Sequence, residues 1–157
     1  MQNAGELART LDKAALFQAL RQSRSRTLAL FARYESALGP GLRVPCTPEL
    51  NPPLWELGHI GWFADWWITR NPQRDLGVVA APFVARTPAR QAQRALDADA
   101  LYNSSEVPHD RRWHLPLPDA EATRTDLAES LRDTLALLEQ APETLRSTTS
   151  WAHTRSS

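Results

Sequence analysis

A chain of 157 residues and 17.6 kDa has the mass of one domain. With 42% hydrophobic and 23% charged residues it holds enough apolar material for a core, which excludes a disordered tail. Eighteen basic residues cancel eighteen acidic ones, so no net field draws the chain to nucleic acid or an anionic membrane. No run approaches the ~18–20 apolar residues of a membrane span, and Glu6, Arg9, Asp12 and Lys13 fall where a signal peptide needs an apolar stretch. A soluble cytoplasmic protein with neither nucleic-acid nor membrane partners is expected.

The first element is a helix over about Thr10 to Leu38, a stretch without proline or glycine. Leu16, Leu20, Thr27, Phe31, Tyr34 and Leu38 recur at helical spacing and predict one buried face. Thr10 or Asp12 can cap its start, Gly39-Pro40-Gly41 ends it, and Arg21, Arg24, Arg26 and Arg33 read as its wetted surface. A proline-rich connection follows, carrying the single cysteine, Cys46, which excludes an internal disulfide framework and a cysteine-rich zinc site.

The second helix opens at Asn51-Pro52-Pro53, where asparagine suits the cap and proline the first turn, and stops near Asn71-Pro72. It is apolar on more than one face, so it is expected at the centre of the fold. Four of the chain's six tryptophans, Trp55, Trp62, Trp66 and Trp67, lie on it. Gly58 and Gly61 each cost about 1 kcal/mol in a helix interior, which predicts a close neighbour. Residues 72 to 118 form a long irregular connection with a short helical piece over Asp97 to Tyr102. A third long helix covers about Asp119 to Gln140, with Leu127, Leu131, Leu135 and Leu138 on one face and Pro142 closing it. From Arg146 to Ser157 the chain is polar and aperiodic. Three long helices and no convincing strand give an all-α class: a helical bundle over residues 1–145 that lacks one helix, followed by a polar tail over 146–157.

Two segments carry residues suited to chemistry. His59 sits mid-helix with Trp55, Trp62 and Phe63 on its own face; a neutral imidazole is the commonest metal ligand and an aromatic shell keeps it dry. The bland alternative is a core histidine with one hydrogen bond. The loop Leu101 to His114 gathers Tyr102, Asn103, two serines, His109, Arg111, Arg112, Trp113 and His114. Arginine's planar fork suits a carboxylate and can stack on Trp113, while His109 and His114 lack the i, i+4 spacing of a helical two-histidine metal motif. An ordinary polar loop is the alternative here.

Asn51-Pro52-Pro53-Leu54-Trp55-Glu56-Leu57-Gly58-His59-Ile60-Gly61-Trp62-Phe63 resembles the P-P-x-W-x-x-G-H-x-x-W-F stretch of DinB-like domains at the N-terminus of ergothioneine-type sulfoxide synthases. Leu101-Tyr102-Asn103-Ser104-Ser105 is similar to the segment that follows in those proteins, and with His109-Asp110 and Arg112-Trp113 it looks closest to the selenoneine synthase branch. The resemblance runs from about residue 10 to residue 143 and implies a DinB-like up-and-down bundle joined, in the full-length family, to a C-terminal catalytic domain. It also implies non-heme Fe(II) held by three histidines, and O₂-dependent joining of a thiol or selenol donor to the imidazole ring of hercynine. On this resemblance His59 matches the first iron ligand, Trp55, Trp62 and Phe63 its aromatic shell, and Asn103, Arg111 and Arg112 the substrate-binding residues. The family's other two iron histidines belong to an H-x-x-x-H motif on a fourth helix, where this sequence has only His153. The expectation is therefore a truncated bundle, inactive alone, without tightly bound iron, and open to self-association through exposed apolar faces. A metal-free DinB-like scaffold is the alternative; a DinB-like thiol transferase would need the same missing ligands.

Overall fold

Helix α1, Lys13–Leu38, begins where the Asp12 carboxylate accepts the Ala15 amide at 2.7 Å, occupying one donor that the first turn leaves open. It ends at Gly39, whose φ of +73° lies in the region glycine alone enters freely. Helix α2, Pro53–Ala64, continues as a π-helical turn over Asp65–Thr69, closed by the Arg70 amide on the Asp65 carbonyl at 2.8 Å. Its cap is Pro52, not Asn51, whose side chain bonds Glu56 and Arg112 instead. The five-residue helix α3, Ala98–Tyr102, is capped by Asp97, and α4, Ala120–Gln140, by Asp119. Short 3₁₀ turns cover Arg74–Val79 and His109–Trp113. This computed structural model describes residues 11–81, 84–87 and 97–141, and among them there is no strand, so the class is all-α. Thr10, Pro142, the 146–157 tail and His153 lie outside the described residues.

The contacts fix the directions of the long helices. Lys13 bonds the Glu139 carbonyl, Arg24 the Leu127 carbonyl, and Glu35 pairs with Arg124, so α1 and α4 are antiparallel. Leu54 shares a cleft with Ala120, while further along Gly61 and Asp65 both accept from Ser130, so α2 and α4 run the same way. The order is up, down, down. That corrects the simple up-and-down connectivity expected from sequence: a parallel pair needs a crossover, and residues 70–119 supply it.

Phe31, Leu42, Leu57 and Leu127 form one buried cluster, and Trp55, Trp62, Leu101 and Tyr102 form another. The predicted α1 stripe holds only in part. Phe31 is buried, but Tyr34 is exposed, because it borders an open cleft of about 370 Å³ between α1 and α2, and Leu38 at the helix end is exposed too. Arg24 is not wetted surface: it is half-buried on the α4 backbone, and burial lowers its pKa while Asp65 opposes the shift. On α4 the inward face carries Thr123, Leu127, Ser130 and Thr134; Leu131, Leu135 and Leu138 are only partly covered. Small polar residues take that face because α2 approaches closely. A Cβ at Gly61 would stand 3.1 Å from Leu127 Cδ1, and one at Gly58 would overlap the Tyr102 ring at 2.3 Å. The close neighbours predicted from the two glycines are thus Leu127 and Tyr102.

Candidate metal and substrate site

Helical spacing on α2 sets Trp55, His59, Trp62 and Phe63 on one face. The His59 ring stacks on Trp55 at 4.8 Å and 10°, on Trp62 at 5.4 Å and 26°, and meets Phe63 at 5.8 Å. The aromatic surroundings expected from sequence are therefore present, with the Phe63 side open, since that ring is half exposed. His59 Nδ1 lies 2.8 Å from the Tyr102 carbonyl oxygen. A carbonyl only accepts, so this contact assigns the proton of the neutral ring to Nδ1. Nε2 is left as the basic nitrogen and has no hydrogen-bond partner among the described residues.

Three further side chains of the same helical run grip α3. Trp55 Nε1 donates to the Leu101 carbonyl at 2.8 Å and Trp62 Nε1 to Asp99 Oδ1 at 2.6 Å. Arg70, buried just past the π turn, binds both Asp99 oxygens at 2.7 and 2.8 Å. The Arg70 hydrogen bonds, with help from Trp62, hold the Asp99 carboxyl below its ordinary pKa against a smaller opposing effect of burial. Burial first, and the Asp126 charge second, push the Tyr102 phenol well above its usual range, so it stays a neutral group.

The loop after α3 is spent largely on its own architecture. Asn103 is buried, its Oδ1 accepts the Ser105 amide at 3.1 Å, and its own amide closes α3 on Asp99. The Arg112 guanidinium lies over the Trp55 ring, 4.1 Å from the centroid, and donates to Asn51 Oδ1 at 2.9 Å. Its Nε is buried without a partner. Arg111 is exposed. His109 Nε2 donates to the Leu50 carbonyl at 2.7 Å, and Trp113 Nε1 to the Val44 carbonyl at 3.0 Å, which ties the loop to the proline-rich connection. Trp113 meets the His109 ring edge-on at 62°, whereas Trp55 receives the Arg112 fork. The structure brings Arg112 and His59 onto one indole and sets Asn103 beside the residue whose carbonyl binds His59. It leaves Arg111 at the surface.

As a fit for iron, the donor chemistry is right at one position. Nδ1 of His59 is oriented by a backbone carbonyl and Nε2 carries no hydrogen bond among the described residues, an arrangement usual for a metal-ligating histidine. Among the described residues no three His, Cys, Asp or Glu side chains gather as a ligand set. The described part of the chain offers one ligand, not a complete site. Sequence reasoning missed the Tyr102 carbonyl and the Arg70–Asp99 pair; the helix-breaking cost of Gly58 was the signal that pointed toward them. No protein-family model matches the chain, and no curated protein matches it.

Proposed function

We propose that this chain is the histidine-bearing bundle of a non-heme iron enzyme that forms a C–S or C–Se bond on the imidazole of hercynine, with His59 supplying one iron ligand through Nε2. The observation that carries the reading is the His59 ring: stacked between two indoles, its Nδ1 held by the Tyr102 carbonyl, its Nε2 open. The likeness of the tryptophan–histidine stretch to DinB-like domains of sulfoxide and selenoneine synthases supports it. Iron, when bound, would activate O₂ and the chalcogen donor; no step is assigned to the described residues alone, because they hold one ligand. What they supply is orientation of that imidazole and exclusion of water from two of its sides. Arg111, exposed on the anchored loop, is the cation proposed to meet a substrate carboxylate.

The second reading is a metal-free DinB-like binding or scaffold protein. It is favoured by the hydrogen bonds that commit Asn103 and Arg112 to their own chain. Anaerobic Fe(II) titration of the chain and of His59→Ala, with and without hercynine, separates the two. The iron reading expects weak Fe(II) binding that falls tenfold or more in His59→Ala, a loss of about 1.4 kcal/mol. Equal affinity in both proteins overturns it and leaves the scaffold.

A further inference from the structure

We infer that α3 is a positioning clamp for His59, seated by Gly58 and locked by the Arg70–Asp99 pair, and that together they select which imidazole nitrogen stays open. Five residues are too few to hold a helix in water unaided, so α3 depends on what grips it. Its grips come from one helical run: Trp55 on the Leu101 carbonyl, His59 on the Tyr102 carbonyl, Trp62 and Arg70 on the Asp99 carboxylate. They span α3 from its second residue to its last. With the Tyr102 carbonyl on Nδ1, the Tyr102 ring is seated against α2 over Gly58. A Cβ there would meet Cε1 and Cζ at 2.3 Å and the hydroxyl oxygen at 2.5 Å. The ring is buried and borders only a small cavity of about 30 Å³, so a methyl at position 58 has to push it from its seat. On this inference the push is passed through the Tyr102 backbone to α3 and weakens the His59 hydrogen bond.

At the opposite end, Arg70 is buried and its fork meets both carboxylate oxygens, which sets the register of α3 as well as its contact. Losing that pair leaves the Asp99 carboxylate on Trp62 alone and loosens the N-terminal end of α3, and the displacement reaches Tyr102 because only one turn separates them. Gly58, Arg70 and Asp99 are positioning residues: none touches Nε2, yet all three bear on whether Nε2 is the basic nitrogen. The use made of Nε2 rests on the iron reading; the proton's place on the ring does not.

The test is the tautomer of His59, read from the ring nitrogen chemical shifts and long-range ¹⁵N–¹H couplings, above the imidazole titration range of about pH 6.5. The wild-type chain is expected to show the Nδ1–H form. Gly58→Ala and Arg70→Gln are each expected to shift the tautomer ratio toward Nε2–H by roughly fivefold, the weight of one net hydrogen bond. Combining Gly58→Ala with Tyr102→Leu removes the three ring atoms that the new methyl meets and is expected to restore Nδ1–H, a rescue that general destabilisation would not give. If Gly58→Ala does not fold, Arg70→Gln and the double variant decide. A wild-type Nε2–H ring, an unchanged tautomer in folded Arg70→Gln, or a double variant without rescue each overturns the clamp. A wild-type Nδ1–H ring with His59-independent Fe(II) binding instead keeps the clamp and removes the iron reading.

Discussion

Ser130→Ala tests whether α2 and α4 are joined by polar chemistry in a place where the sequence offers leucines. Ser130 is 1% exposed, and its Oγ lies 3.1 Å from the Gly61 carbonyl and 3.0 Å from Asp65 Oδ1. One hydroxyl proton serves both acceptors, so the pair counts as one hydrogen bond to a charged group, about 1.5–3 kcal/mol. Alanine returns about 0.5 kcal/mol through its better helix propensity. Asp65 keeps the Thr69 hydroxyl at 3.1 Å, which limits the damage on the carboxylate side. The net expectation is a loss of about 1–2.5 kcal/mol, or a melting point lower by about 3–8 °C for a chain of this size. Urea unfolding followed by tryptophan fluorescence reads it directly, since the indoles of α2 sit on the same helix. An unchanged or raised midpoint at constant slope would refute the bond, because a solvated serine replaced by alanine gains stability.

Acid unfolding reports on the lock of the clamp. The Asp99 carboxyl titrates lower in the folded than in the unfolded chain, so the folded state binds fewer protons there. Its contribution is complete above the unfolded value of about 3.9 and is lost as pH falls through the lowered folded value. Asp99→Asn is expected to be less stable at neutral pH and to lose less stability than the wild type on acidification below about pH 4; parallel pH profiles would contradict the Arg70 pairing. Arg112→Met keeps the apolar stem but removes the Asn51 bond and the charge over Trp55. A loss of about 1.5–2.5 kcal/mol is expected in the same urea assay, and no loss would show that the guanidinium is not held on the indole.

Much of the helix layout is legible in the sequence because its punctuation is local. Gly39 and Pro40 end α1, Pro52 and Pro53 start α2, and Asp119 starts α4, each acting within one turn. The two glycines of α2 also announce a close neighbour, though not its identity. What the sequence does not show is which way α2 and α4 run, because that depends on the crossover between them and not on either helix. Nor does leucine spacing reveal the inward face of α4. Leu131 and Leu135 follow the apolar period, yet they line an open cleft with Phe17 and Leu28. The face against α2 takes Thr123, Ser130 and Thr134, whose hydroxyls bond helix carbonyls nearby. Close backbone approach favours small side chains, and small side chains carry little apolar signal.

The same distinction bears on the candidate site. Asn103 and Arg112 attract notice in the sequence as polar groups suited to a ligand, and in the structure they bond to Ser105 and Asn51 of their own chain. The Asn103 carbonyl oxygen and the Arg112 fork must give up those bonds before they can bind anything else, and a net bond costs about 0.5–1.5 kcal/mol. Their value to a site lies in rigidity: they fix the loop that follows Tyr102, and the Tyr102 carbonyl fixes His59. The imidazole is the reverse case. One nitrogen is engaged, which orients the ring, and the other has no hydrogen bond among the described residues. An oriented ring with an unused lone pair bears the marks of a binding group more plainly than Arg112, whose terminal nitrogens are spent on Asn51 and nearby backbone carbonyls.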